Sequence, residues 1–243
     1  MRKYVLTAIV AAALVVGNFA PPAHADDTAA LSAQNTVGGP YVNSYVQAQL
    51  VKNASTLNFA WDPTGQSGLL AVADIITYGG SAPAIAPPNG WTLIRDDSAP
   101  ESTRQTLYWH VMNSDDPATL QWSFGQPVDA QGAIVMVDRA SEDSPIDGNT
   151  GNSGSGWLPL AKSVTTNGDG DLVLSFYSTN FDGPAAPGPV FPDNVAPIVN
   201  EQSLTDAYWV LGGYQGLDGS AGDILCNGVQ LYDWVAAEVA IAR

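Results

Sequence analysis

Enzyme chemistry needs groups that hold or move a proton, attack a carbon or ligate a metal, and here such groups are few. The 243 residues include two histidines and one cysteine: His24, His110 and Cys226. A hydrolase triad requires a base that is aimed by a third group at an activated nucleophile, and a zinc site requires several His or Cys ligands. One internal histidine in the apolar run Leu107-Tyr108-Trp109-His110-Val111 assembles neither. Gly151-Asn152-Ser153-Gly154-Ser155-Gly156 lacks the G-x-S-x-G register of a nucleophile elbow. A single cysteine excludes an intramolecular disulfide. Cys226 follows Ile224-Leu225 in a strand-like run, where a buried inert thiol is expected and an intermolecular disulfide is the alternative.

Carboxylates are the remaining acid–base groups, with Glu101, Glu142, Glu201, Glu238 and many aspartates. A glycosidase or lyase needs two of them across a sugar cleft, one with a raised pKa. Nothing in the linear sequence pairs them, and most aspartates fall in turns, where the side chain bonds its own backbone. Calcium is the one ion that the acids suit. Asp169-Gly170-Asp171 and Asp143 with Asp147 are the candidate ligands, so the metal candidates are Asp143, Asp147, Asp169 and Asp171. Neither cluster has EF-hand spacing, and Asn-Gly-Asp-Gly is equally what a tight turn before a strand requires, so the turn is the preferred reading and no cofactor is expected.

Aromatics are the other ligand-facing candidates, because sugar rings stack on Trp and Tyr. Of seven tryptophans, Trp61, Trp91, Trp109, Trp122 and Trp209 sit in apolar strand-like runs and are expected in the core. Trp157 ends a Ser/Gly-rich stretch, Trp234 shares a strand face with Glu238, and Tyr78 precedes Gly79-Gly80. These four, Tyr78, Trp157, Trp234 and Glu238, are the candidate ligand-binding residues; the three aromatics are the ones most open to exposure, with packing the preferred reading even for them.

The elements that must position these groups read as strands. Runs rich in β-branched and aromatic residues, separated by Gly, Pro, Asn and Asp, recur over residues 46–51, 56–61, 69–78, 91–95, 105–112, 118–124, 130–139, 161–164, 171–178, 195–201, 207–213, 222–227 and 232–241. No capped amphipathic helix is evident. Alternation puts Val235, Ala237, Val239 and Ile241 on one face of the last strand, opposite Trp234 and Glu238, and aligns Leu57, Phe59 and Trp61. Leu69-Leu70-Ala71-Val72-Ala73 is apolar throughout, as in a strand covered on both faces.

The two halves also look alike. Gly68-Leu69-Leu70-Ala71-Val72 is echoed by Gly170-Asp171-Leu172-Val173-Leu174, residues 106–111 by 206–211, and residues 129–139 by 232–243. The expected fold is all-β: an antiparallel two-sheet β-sandwich, jelly-roll-like, with pseudo-two-fold duplication of a four-strand unit. The quasi-repeats span about 56–139 and 161–243, each unit supplying strands to both sheets. Residues 140–157, rich in Ser, Gly, Asn and Asp, are expected to form a surface loop or crossover between them.

At the N-terminus Arg2-Lys3, the apolar run of residues 4–16 and Ala23-His24-Ala25 follow the order of a signal peptide. The apolar run is shorter than the roughly 18–20 residues that cross a bilayer. Residues 1–25 are therefore expected to be a signal peptide, 26–45 an N-terminal extension and 46–243 one β-sandwich domain, secreted and extracellular, with no membrane insertion. The formal charge of −16 becomes more negative once Arg2 and Lys3 leave, which disfavours nucleic acid and anionic lipid as partners.

Three pieces in order, Pro87-Pro88-Asn89-Gly90-Trp91-Thr92-Leu93-Ile94, Asp143-Ser144-Pro145-Ile146-Asp147 and the run of residues 165–174, resemble a poorly characterised β-sandwich domain of secreted bacterial and phage-tail-associated proteins. The resemblance covers roughly residues 46–243 and rests on turn and strand signatures. It implies a jelly-roll-like sandwich at a cell or virion surface, engaged in adhesion or glycan contact, and no catalytic residues. The expected function is a secreted, non-enzymatic binding or adhesion protein contacting cell-surface glycans. The alternatives are a self-associating structural component of a surface or virion and a carboxylate-dependent glycosidase or lyase.

Overall fold

Strand alternation and turn residues build two antiparallel sheets, one from each half of the chain. The structure, a computed structural model, describes residues 38–79, 83–100, 103–156, 159–168, 170–180, 195–203, 208–217, 222–225 and 233–243. Among them are strands and no helix. The first sheet contains β1 (Tyr41–Ala60), β2 (Leu70–Tyr78), β3 (Ile85–Ala86), β4 (Thr92–Ser98), β5 (Thr103–Val111) and β6 (Thr119–Asp138), ordered β1-β6-β2-β5-β4 with β3 beside β6. The second contains β7 (Ile146–Ser155), β9 (Asp171–Asn180), β10 (Ala196–Ser203), β11 (Tyr208–Leu217) and β13 (Asp233–Ile241), ordered β7-β13-β9-β11-β10. A short ribbon of β8 (Leu160–Ala161) and β12 (Ile224–Leu225) completes the set.

The antiparallel two-sheet sandwich is the architecture expected from the alternation. Its assembly differs in one respect: each half builds a whole sheet, whereas each was expected to supply strands to both. The two sheets share a strand order, with β1, β6, β2, β5 and β4 standing where β7, β13, β9, β11 and β10 stand. Hairpins and local returns within one half close more readily than pairings between halves, because the loops to be closed are shorter.

Three further differences concern length and composition. Residues 46–51 and 56–61 belong to the single strand β1, and residues 118–124 and 130–139 to the single strand β6 apart from their terminal residues. Register shifts between Ala48 and Thr56, with Asn53 at φ 46°, bend this long ribbon. Its far half then folds back over the first sheet, so that Leu57, Phe59, Leu120 and Trp122 bury Ala71, Ala73 and Ile75 on the face away from the second sheet. β1 also begins at Tyr41, within the segment expected as an N-terminal extension.

The third difference is β7, which lies in the stretch expected to be a surface loop. Its glycines provide space for neighbours. A Cβ on Gly151 would fall 1.9 Å from Arg95 Nη2, and one on Gly154 would fall 2.7 Å from the Trp234 ring. Arg95 of β4 reaches across to β7, donating to Asn149 Oδ1 at 2.8 Å while it pairs with Asp97, and so ties the edges of the two sheets.

Between the sheets, Leu70, Val72, Val135 and Val137 meet Leu172, Leu174, Val239 and Ile241 in one core. The expected faces hold: Ala237, Val239 and Ile241 point inward, and β2 is buried on both sides. On the outer side of the first sheet Trp122 meets Phe59 at 5.2 Å and 73° and Trp91 at 5.0 Å and 70° between ring centroids and planes. Edge-to-face pairs of this kind add about 0.5–1.5 kcal/mol each beyond area burial.

The closeness of the β1–β6 ribbon to β2 can be tested at Gly132, where an added Cβ would lie 2.3 Å from the backbone oxygen of Asp74 and 3.2 Å from Phe59 Cζ. Backbone in the middle of a sheet cannot withdraw, so Gly132→Ala is expected to lower stability by about 2–3 kcal/mol in urea denaturation. Gly125→Ala, whose nearest neighbours lie at 3.6 Å, is expected to be close to neutral. Equal midpoints for the two variants would contradict the packing described.

Candidate functional site

The inter-sheet core changes character along its length. Backbone hydrogen bonds from Ser141 N to the Ala242 carbonyl and from Ala242 N to the Pro145 carbonyl, both 2.9 Å, hold the Arg243 ends of the two sheets together. At that end the inward residues are aliphatic. Toward the other end, where Tyr78 pairs with Thr103 and Asn180 with Asp233, they become polar. Asp74 on β2, Gln105 and Thr103 on β5 and Gln131 on β6 have the same strand parity as the core residues Val72, Leu107 and Ala133, so they face the second sheet. There Ser178 follows Phe176 on the same face of β9. All of these are buried.

Register explains the cluster: Gln105 and Gln131 flank Ile76 on its two neighbouring strands. Gln105 Nε2 donates to Asp74 Oδ2 at 3.2 Å, and Gln131 Nε2 donates to the Tyr78 hydroxyl at 2.7 Å. Within this cluster five atoms have no hydrogen-bond partner among the described residues: Asp74 Oδ1, Thr103 Oγ1, Gln105 Oε1, Gln131 Oε1 and Ser178 Oγ. Burial pushes the Asp74 carboxyl well above its ordinary range, opposed by the Gln105 bond, and so favours the neutral acid. The cluster therefore offers neutral donors and acceptors in a dry setting.

Tyr78 is thus brought to this site and is buried, the packed state preferred for it from the sequence. Trp234 and Glu238 do share a face, the outer face of the second sheet, and both are buried, the packed state preferred for Trp234 from the sequence. The β8–β12 ribbon and residues 162–166 cover them: Val164 N donates to Glu238 Oε2 at 3.0 Å, and Val164 packs on Val173 and Ala240. Sequence patterning places side chains on a face but cannot tell that the face has a cover. Trp157, Asp169, Glu101 and Cys226 lie outside the described residues. The large exposed hydrophobics among the described residues are Tyr45 and Leu93.

Of the candidate calcium ligands, Asp147 and Asp171 come together at the Arg243 end and hydrogen-bond to one another. Both are already supplied with donors. Asn167 N and Nδ2 reach Asp147 at 2.5 and 2.7 Å, and Arg243 N reaches Asp171 at 3.2 Å. Burial pushes Asp171 up. At Asp147 the upward push of burial is outweighed by the Asn167 bonds, so its carboxyl sits below its ordinary value. Asp143 is exposed in the segment before β7. Among the described residues no three His, Cys, Asp or Glu side chains converge on one point.

His110 is fully engaged. Its Nδ1 lies 3.1 Å from the Gly90 carbonyl oxygen and its Nε2 3.0 Å from Asp116 Oδ2, with the ring 5.5 Å from that of Trp91. With both nitrogens at acceptors, the ring ties the end of β5 to two turns and leaves no nitrogen facing a nucleophile. The polar half of the inter-sheet core was the part that sequence reasoning missed. Its one sequence signal is Asp74 and Gln131 interrupting inward files that are otherwise apolar.

The electrostatics of Asp74 have a measurable consequence. Because its folded pKa is raised, the native state holds a proton that the unfolded chain has released. Its contribution to stability is complete below the unfolded value of 3.8 and is lost as pH rises through the folded value. The stability difference between wild type and Asp74→Asn should therefore fall with rising pH above about 4, at up to about 1.4 kcal/mol per pH unit, in urea titrations at a series of pH values. A difference that is flat with pH would mean that Asp74 is ionised in the fold. Comparison of the chain with protein-family models, with curated proteins and with solved structures finds no match.

Proposed function

We propose that this protein is a secreted, non-enzymatic binding protein whose ligand is a neutral, hydroxyl-rich molecule, such as a terminal unit of a cell-surface glycan, received between the sheets at the Tyr78 end. The observation that carries the reading is the set of buried polar atoms without partners there: Asp74 Oδ1, Thr103 Oγ1, Gln105 Oε1, Gln131 Oε1 and Ser178 Oγ. Each such atom costs about 1–3 kcal/mol when left unpaired in a dry core. The same inward positions nearer Arg243 are Leu, Val and Ile, so the fold itself does not require polar side chains. A concentration of them at one end is what a binding site contributes against stability.

The chemistry of the site points to the ligand class. Amides, hydroxyls and an acid favoured in its neutral form offer donors and acceptors to hydroxyl groups. A formal charge of −16 repels anions. The order of the N-terminal segments supports secretion, and the resemblance to surface-associated sandwich domains supports adhesion at a cell or virion surface. The placement of the buried acids favours binding over hydrolysis. Asp74 faces the inter-sheet core, Glu238 faces the β8–β12 ribbon, and Asp147 and Asp171 bond to each other, whereas glycoside hydrolysis needs two carboxylates roughly 5–10 Å apart on either side of a sugar.

The test separates binding from folding. Thr103→Val with Ser178→Ala removes two unpartnered hydroxyls, so the urea midpoint should hold or rise. Binding to the glycans or cell-wall material retained by wild type on an array should weaken about tenfold or more, the loss of roughly 1.4 kcal/mol. Wild-type protein that retains nothing on such arrays, or a double variant that binds as well as wild type, would sink the proposal.

A further inference from the structure

We propose that the strap formed by β8, residues 162–166 and β12 is a pH-released cover over the outer face of the second sheet, with Glu238 as its trigger. The proposal is independent of the ligand site between the sheets, which lies on the opposite face of β9 and β13. The strap is held internally by contacts at its exposed edge. Lys162 Nζ pairs with Asp223 at 2.9 Å, Ser163 N donates to Asp223 at 3.0 Å, and Gly222 N donates to Ser163 Oγ at 3.0 Å. The Lys162–Asp223 pair is about half exposed on both sides, so its net contribution is small.

Attachment of the strap to the sheet is a different set of contacts. The Tyr177 hydroxyl donates to the Ile224 carbonyl at 2.8 Å, Asn152 Nδ2 donates to the Leu160 carbonyl at 3.0 Å, and the Thr150 hydroxyl bonds the Lys162 carbonyl. Val164 packs on Val173 and Ala240, and its amide donates to Glu238 Oε2 at 3.0 Å. Among these described attachments, Glu238 is the group that changes charge near neutrality. Its side chain is buried, its Oε1 has no partner, and Ser175 Oγ, directly opposite on β9, has none either. The titratable and charged groups around it from the packed elements are Tyr177 on β9, Lys162 beside β8 and Asp223 before β12. Asp147 on β7 and Asp171 on β9 lie at the far end of the same face.

In its protonated form Glu238 needs only the weak polar contacts that it has. Burial raises its pKa to about 8, Val164 N–H opposes the rise, and the negative charge of Asp223 adds to it. Above that pH a carboxylate with one donor sits in a dry setting near a second negative charge. Water reaches it most readily if the strap lifts. Lifting would lose the Val164 contacts and uncover the outer face around Val173, Ser175, Glu238 and Ala240, while the inter-sheet core on the opposite face keeps its packing. The strap is therefore a locally unfolding unit whose stability is tied to one proton.

Pulsed amide hydrogen exchange on the full chain, corrected for intrinsic base catalysis, tests this from about pH 6 to about pH 9.5. The protection of Val164, Ala161 and Ile224 should drop about tenfold or more on passing pH 8, while Val135 and Val239 in the inter-sheet core keep theirs. In Glu238→Gln the strap amides should stay protected across the range. If that variant fails to fold, the carbon-13 titration of the Glu238 carboxyl in wild type takes its place, and its midpoint must coincide with the loss of strap protection. Protection that is constant through pH 8, the same drop in Glu238→Gln, or a midpoint that differs from the carboxyl titration would overturn the proposal.

Discussion

The central strands of both sheets have to be kept from water on both faces, and most of the architecture follows from that requirement. β2 and β13 are buried along their whole length and β9 along all of it but Asn180, so packing sheet against sheet buries only half of their side chains. The outer faces need covers, and the chain supplies them from its own strands. The folded-back half of the β1–β6 ribbon covers the first sheet, and the β8–β12 strap covers the second. Each large apolar side chain taken from water contributes about 1.5–3 kcal/mol. With one cysteine in the chain, these layers rather than an internal cross-link hold the fold.

The two covers differ in kind, and the difference matters for dynamics. The first is wide and aromatic, with Phe59, Trp91 and Trp122 interlocked edge to face, and it continues the hydrogen bonding of β1 and β6 without a break in the chain. The second is two short strands of two residues each, attached by a handful of side-chain bonds and a small apolar patch. A layer with few buried contacts and many side-chain tethers opens at lower cost than the sheet beneath it. Placing Glu238, which is buried, under the weaker cover couples that cost to pH.

The polar half of the inter-sheet core sets a second tension. Apolar residues would fit the inward positions of Asp74, Gln105 and Gln131, as they do nearer Arg243. Half-satisfied polar groups in a low-dielectric interior weaken the native state and also make the site selective for a partner that completes their bonds. Stability in this fold is supplied at the Arg243 end, where aliphatic packing is continuous and the termini of β6 and β13 are tied by backbone bonds. The Tyr78 end is free to carry groups that the fold does not need.

The sequence by itself determined the all-β class, almost every strand and the face of each residue, because a period of two is a local property of the backbone and survives any packing. It also limited the chemistry, since one internal histidine and one cysteine are too few for a zinc site built of several His or Cys ligands. Tertiary structure alone decided what lies over each face. Trp234, Glu238 and Tyr78 stood as ligand candidates because alternation separates two faces without saying whether the second meets water. β7 read as a loop because its glycines are needed for Arg95 and Trp234, neighbours that are remote in sequence. Asp147 and Asp171 look unrelated until β7 and β9 flank β13. Covers, close approaches and shared cores are contacts between distant segments, and a linear pattern carries no record of them.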